Sequence, residues 1–229
     1  MDNRKVKRWI SYLILCAGIP AVILTGTLLF QDKQYAWVSL CVALFACVPF
    51  FLAFEKGKSG TKRLILIAVM VGIAVIGRIL FTPIPGFKPV TAIIVITAMH
   101  FGAQAGFMTG AMTAVISNFT FGQGPWTPFQ MFVWGLVGLL AGLLAEPLKR
   151  NRFALLTYGA ISGAVFSLLM DVWTVLWWDG TFHLARYAAA TISALGFTVT
   201  YALSNVVFLL LFSKPIGRIL ERIKLKYDM

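Results

Sequence analysis

The sequence predicts an all-α polytopic membrane protein with eight transmembrane helices and both termini cytoplasmic. Three observations predict it. Hydrophobic residues make up 59% of the 229-residue chain and charged residues 12%, with a mean hydropathy of +0.86. A soluble domain carries about 25% charged and 45–50% apolar residues, so a water-soluble enzyme is excluded. The excess of 20 Lys+Arg over 8 Asp+Glu gives a net charge of +12. Those basic residues stand in short clusters between long apolar runs, which points to a membrane rather than to nucleic acid. Finally, small residues recur at a spacing of four inside the runs, the pattern that lets helix backbones approach closely in lipid.

A spanning helix needs ~20 mainly apolar residues. Runs of this kind, two of them short, fall at 9–30, 35–54, 63–81, 89–103, 106–121, 130–146, 153–176 and 187–212. The first is too long for a signal-peptide core and lacks an A-x-A cleavage site, so it is read as a mature helix. Cys16, Cys41 and Cys47 lie within the first two runs without metal-ligand spacing. They read as small buried hydrophobes. The fourth and fifth runs meet at His100, Gly102, Gln104 and Gly106, and they are read as two short helices joined by a tight turn.

The positive-inside rule supports that division. With eight spans and a cytoplasmic N-terminus, one side of the membrane collects four clusters: Arg4/Lys5/Lys7/Arg8, Lys56/Lys58/Lys62/Arg63, Lys149/Arg150/Arg152 and Lys214/Arg218/Arg222/Lys224/Lys226. These hold sixteen of the 20 basic residues, while the other side keeps Lys33, Lys88 and Arg186. Reading 89–121 as one span would move the last two clusters outside. The chain is therefore placed in the plasma membrane as a multi-pass protein.

Small-residue stripes occur as Ala68–Gly72, Gly102–Gly106–Gly110–Ala114, Gly138–Gly142, Gly159–Gly163 and Ala190–Ala194. None lies in the first two spans. The chain thus divides into an N-terminal transmembrane hairpin (1–57), a six-helix core (62–213) and a basic cytoplasmic tail (214–229). Most stripes are accounted for by packing within the bundle.

Polar groups inside a membrane are costly and mark functional candidates. They gather at the predicted external ends: Arg78 and Lys88, then Asn118, Gln123, Trp126, Gln130 and Trp134, then Asp171, Trp178, Asp179, His183, Arg186 and Tyr187. A site open to the outside is implied. Asp171, Thr174 and Trp178 share one helical face, with Trp173 and Trp177 nearly opposite. An aspartate avoids lipid, so Trp178 is expected inward and Trp173 and Trp177 outward. The tryptophans also fit an interfacial aromatic belt. Gln130 and Trp134 share a face that suits either a flat ligand or a helix–helix hydrogen bond. Arg78 and Asp171 lie at similar depth and read as a charge pair between helices or as ligand contacts.

The loop FGQGPWTPF (Phe121–Phe129) is stiffened by its glycines and prolines and presents Gln123 and Trp126. A second stiff loop is TPIPGFKP (Thr82–Pro89). No GxxxxGK[ST], HExxH or GxSxG occurs, and no close carboxylate pair or His cluster lies within a span. Nucleotide hydrolysis by a P-loop and membrane protease or lipase chemistry are therefore not expected. No catalytic or metal-ligating set is assigned.

The stretch SNFTFGQGPWTPFQMFVWGLVGLLAGL (Ser117–Leu143), with the small-residue stripes, resembles the substrate-binding S components of energy-coupling factor (ECF) vitamin importers. The resemblance covers roughly 62–213, and the GQGPWTPFQ block looks most like S components for cobalamin. It implies an S-component-like core that binds a vitamin from outside. That core would then dock on a transmembrane coupling subunit carrying two ABC ATPases, topple, and release its cargo inward. ATP would be hydrolysed by those partners, with no cofactor bound by this chain. The family docks through an Ala-xxx-Ala motif in its first core helix. Here the matching residues are Ala68 and Gly72, a departure that preserves smallness. The N-terminal hairpin also departs from the six-helix pattern.

The leading expectation is thus an importer subunit for cobalamin, whose bulk suits a wide mouth of Trp and amide groups. The sparse fixed charge argues against a strongly anionic substrate. The substrate set is Arg78, Asn118, Gln123, Trp126, Gln130, Trp134, Asp171, Trp178 and His183. A smaller vitamin or precursor (pantothenate, a pyridoxine-like ring or a thiazole) is the first alternative. A gradient-driven secondary transporter is another, although no clear internal repeat joins the halves and only the Gly102–Gly106 region resembles a broken midplane helix. A non-transport assembly protein would leave the polar end unexplained.

Overall fold

The computed structural model describes residues 60–124, 126–179 and 182–227, together with residues 17, 18 and 21. The predicted hairpin over 1–57 lies outside these apart from residues 17, 18 and 21. The described chain is all-helical: α1 (Gly60–Leu80), α2 (Val90–Phe101), α3 (Ala103–Phe121), α4 (Trp126–Leu143), α5 (Ala145–Arg150), α6 (Arg152–Asp179), α7 (Leu184–Ser193) and α8 (Leu195–Tyr227). Among them α1, α4, α6 and α8 are long and apolar enough to cross a membrane.

The tight turn between the two short spans is Gly102. Its φ of 86° is a left-handed conformation that residues with a Cβ rarely adopt. The chain folds back there, so that a Cβ on Gly106 would lie 2.5 Å from that of Ala98. Two residues eight apart in one continuous helix would be about 12 Å apart. Several hydroxyl side chains within α2 and α3 are satisfied locally. The Thr97, Thr109, Thr113 and Ser117 hydroxyls each donate to the carbonyl four residues earlier.

Glycine stripes pull the helices together as expected. Gly106 and Gly138 meet backbone to backbone, Gly110 abuts the Trp134 carbonyl, and Gly142 abuts Ala103. This seam makes α3 and α4 the most closely packed pair. Gly159 and Gly163 do the same for α6 against α8, where Cβ atoms would approach Leu209 and Ala202 to 2.5 and 2.7 Å. Asn205 of α8 seals that seam by donating from Nδ2 to the Gly159 carbonyl (3.0 Å). The Ala68–Gly72 stripe differs: Ala68 is exposed, and a Cβ on Gly72 would meet nothing within 4 Å.

The last predicted span, 187–212, is divided otherwise. A short α7 ends at Ser193, and α8 runs without interruption through Pro215 to Tyr227. The basic segment from 214 is therefore helical. The described bundle has two distinct ends. Arg63 donates to the Phe101 carbonyl and His100 faces Glu221 at one. Arg78, Asn118, Gln130 and Lys88 gather at the other.

Candidate functional site

The second of those ends is built on α1, α3 and α4. Arg78, one residue past the buried Gly77 of α1, is only 8% exposed. Its Nη1 donates to Ser117 Oγ and to Asn118 Oδ1 (2.8 Å) on α3. Asn118 passes the connection on, its Nδ2 donating to Thr127 Oγ1 and Gln130 Oε1 of α4, both at 2.9 Å. Thr127 donates in turn to Gln123 Oε1 (3.0 Å), while Gln123 Nε2 donates to the Val115 carbonyl (2.8 Å). Gln123 thus pins the 122–124 loop between the two helices.

Aromatic rings wall this network. The Arg78 guanidinium carbon lies 4.4 Å from the Phe121 ring centre and 5.1 Å from that of Trp134. Lys88, from the α1–α2 loop, places Nζ 5.2 Å from the Phe121 ring. Burial chiefly, and the Arg78 charge next, hold the Lys88 ammonium pKa below its ordinary value. Its backbone is clamped to α8: the amide donates to Ser204 Oγ (2.8 Å), which donates back to the Lys88 carbonyl (2.9 Å). Two cations therefore share one ring, a concentration of charge that the sequence does not display.

Trp134, almost fully buried, stacks on Phe166 at 5.2 Å, and Phe166 meets Tyr201 at 5.0 Å. Two donors in this neighbourhood, Arg78 Nε and Trp134 Nε1, are buried without a hydrogen-bond partner. Buried polar atoms in folded proteins are nearly always paired. Such donors suit a ligand bearing carbonyl or carboxylate oxygens.

The α6 contribution corrects the expected phase. Trp178 is 76% exposed. Trp173 is half-buried and packs edge-on against Trp126 (6.2 Å) and stacked on Trp177 (5.6 Å). The face of α6 that meets α4 carries Phe166, Met170, Trp173 and Trp177, a run at i, i+4, i+7 and i+11. Asp171 lies on another face, half-buried toward Thr191 of α7. Trp178 shares that face but lies about two turns beyond, and there it is exposed.

No ion pair joins Arg78 to Asp171, so the charge-pair reading does not hold; Arg78 is held by Ser117 and Asn118 instead. Asp179 pairs with Arg186 across the α6–α7 turn at 3.1 Å, and His183 is exposed at the start of α7. The structure thus brings Arg78, Asn118, Gln123, Gln130 and Trp134 into one cluster with Trp126 near its rim. It leaves Asp171, Trp178 and His183 to the side.

Sequence reasoning missed Ser117, Thr127, Phe121 and Trp173. The aromatic stripe of α6 was a readable signal for the last. No group of His, Cys, Asp and Glu able to hold a metal ion occurs among the described residues.

Compared with known proteins, residues 62–225 match the family model described as ECF transporter, substrate-specific component. No curated protein and no solved structure matches the chain.

Proposed function

The chain belongs to the ECF transporter substrate-specific component family, and from that membership we propose that it captures a vitamin at the Arg78–Asn118–Gln130–Trp134 end of its core. It then delivers the vitamin inward by docking on a coupling subunit driven by two ABC ATPases. The carrying observation is that one hydrogen-bonded cluster joins three helices at a single end, walled by aromatic rings. In this reading Arg78, with Lys88 beside it, binds carbonyl or carboxylate oxygens. Asn118, Gln123 and Gln130 orient the ligand, while Trp134 and Trp126 stack on it. Asp171, Trp178 and His183 form the outer margin, and the end they share faces the outside.

Cobalamin is the cargo suggested by the GQGPWTPFQ block. The burial of Arg78, Asn118, Gln130 and Trp134, all below 9% exposed, favours the second reading, a smaller ring-bearing vitamin or precursor. The test is ligand identification on the purified full-length chain. Mass spectrometry of co-purifying small molecules would be followed by titration with a vitamin panel including cobalamin and cobinamide. Tight binding without ATPase subunits or an ion gradient is expected. Absence of binding by a well-folded sample would overturn the capture role.

Docking is assigned to the open stripe of α1. Ala68→Leu or Gly72→Leu is expected to stop uptake in cells while leaving vitamin affinity of the purified chain within about twofold, because neither position contacts the bundle closely. Loss of affinity in both would return the stripe to internal packing.

A further inference from the structure

The opposite end of the bundle holds a cavity that vitamin capture does not use. Its volume is about 440 Å³, and five cations line it: Lys149 and Arg150 of α5, Arg152 at the start of α6, and Lys214 and Arg218 of α8. None of the five is paired with an acid among the described residues. Among the described residues the one acid lining the cavity is Glu221, 61% exposed and 3.7 Å from His100 Nδ1. His100 is itself buried, and its other ring nitrogen lies where α2 and α8 approach so closely that a Cβ on Gly217 would come within 3.0 Å of it. Beneath the basic rim lie Met99, Leu148 and Leu155, all buried and apolar.

Five like charges around one opening repel one another unless an anion enters it. Arginine forks match phosphate oxygens in geometry, and lysines add point charge. The apolar floor beside the rim matches an amphiphile, and basic pockets between helices at a membrane face hold phospholipid head groups. We propose that this cavity is a binding site for a phosphate-bearing anion, separate from the vitamin site, with a phospholipid head group and free phosphate as the two sources of that chemistry. The cations come from α5, α6 and α8, so an occupant would tie the segment from 145 to 152 to the C-terminal helix.

The experiment uses the purified full-length chain. Native mass spectrometry after reconstitution in phosphatidylglycerol or phosphatidylcholine nanodiscs reads lipid retention. Titration with inorganic phosphate in a neutral detergent reads the free anion. Saturable retention of phosphatidylglycerol over phosphatidylcholine is expected and identifies the lipid source; saturable binding of phosphate alone identifies the free-anion source.

Either affinity should fall on the order of tenfold in the double variant Lys149→Gln/Arg218→Gln. It should be nearly unchanged in Arg222→Gln/Lys226→Gln, which removes the same charge outside the cavity. Glu221→Gln should strengthen binding several-fold, a change of sign that loss of structure would not produce. Lys149, Arg218 and Glu221 are all exposed, so their variants are expected to fold. Failure of both probes to bind saturably, or equal losses in the two double variants, would overturn the site.

Discussion

Gly138→Leu is expected to yield no stable core. A Cβ at 138 would be driven against the carbonyl carbon and oxygen of Gly106 and would come within 2.8 Å of Ile94 Cγ2. In return, a Cβ on Gly106 would lie 2.7 Å from the Gly138 carbonyl carbon. Both obstacles are backbone, and neither can swing aside as a side-chain tip does. Overpacking a core costs about 1–3 kcal/mol when neighbours can adjust. Here α3 and α4 must separate, which places the leucine variant beyond the ~4–5 kcal/mol that marks exceptional mutations. Gly138→Ala should lower the midpoint of thermal unfolding and also weaken binding of the proposed substrate, since the same seam sets Asn118 opposite Gln130 (2.9 Å). Gly72→Ala is the matched control, because its Cβ would point into open space. Thermal unfolding and size-exclusion profiles of the three purified variants check the claim. A monodisperse Gly138→Leu variant with the parental midpoint would refute it.

That seam also marks how far the sequence can be read. The apolar runs of most spans, the reversal near Gly102 and the positions of the glycine stripes follow from local properties: hydropathy, backbone freedom and the four-residue repeat. Each is carried by residues close together in the chain. Which helix a given face meets is not local. The phase of α6 placed Asp171 and Trp178 together and Trp173 opposite, but the identity of the face that packs on α4 depends on Trp134 stacking with Phe166.

The Arg78 network was equally hidden. Its partners Ser117 and Asn118 lie about 40 positions downstream, and a buried arginine and a distant aspartate look like a pair only until the helices are assembled. The basic cavity draws on positions 99–100, 148–155 and 213–221. In the sequence its cations served only to orient the chain, and nothing in their spacing revealed that they surround one opening. The polar end, by contrast, was legible as a set, because side chains that avoid lipid concentrate wherever the fold can partner them.

Arg78→Met is expected to cost about 1–3 kcal/mol of stability and about a hundredfold in affinity for the proposed substrate. The stability term arises because Asn118 Oδ1, buried and now accepting from Arg78 at 2.8 Å, would lose its donor, and an unsatisfied buried acceptor costs about that much. Relief from burying a charge offsets part of it, which keeps the loss below that of Gly138→Leu. The affinity term is larger because a hydrogen bond from a charged donor is worth up to about 3 kcal/mol, and every 1.4 kcal/mol is roughly tenfold. Arg78→Lys retains charge but not the fork that spans Ser117 and Asn118, so it should recover part of the affinity.

The double variant Arg78→Met/Asn118→Leu separates the two effects. It removes donor and acceptor of that bond together, which is nearly neutral for folding, while Asn118→Leu by itself also takes from Gln130 Oε1 the bond it accepts from Asn118 Nδ2 (2.9 Å). Its unfolding midpoint should therefore lie no lower than that of Asn118→Leu alone, the two losses failing to add, while its affinity stays low. The small molecule identified by the titration is the ligand for this test, with unfolding followed by intrinsic fluorescence. Unchanged affinity in Arg78→Met would remove the guanidinium from the binding site and leave it a purely structural link between α1 and α3. Affinity in the double variant equal to that of Asn118→Leu alone would carry the same meaning, because the guanidinium would then add no contact of its own.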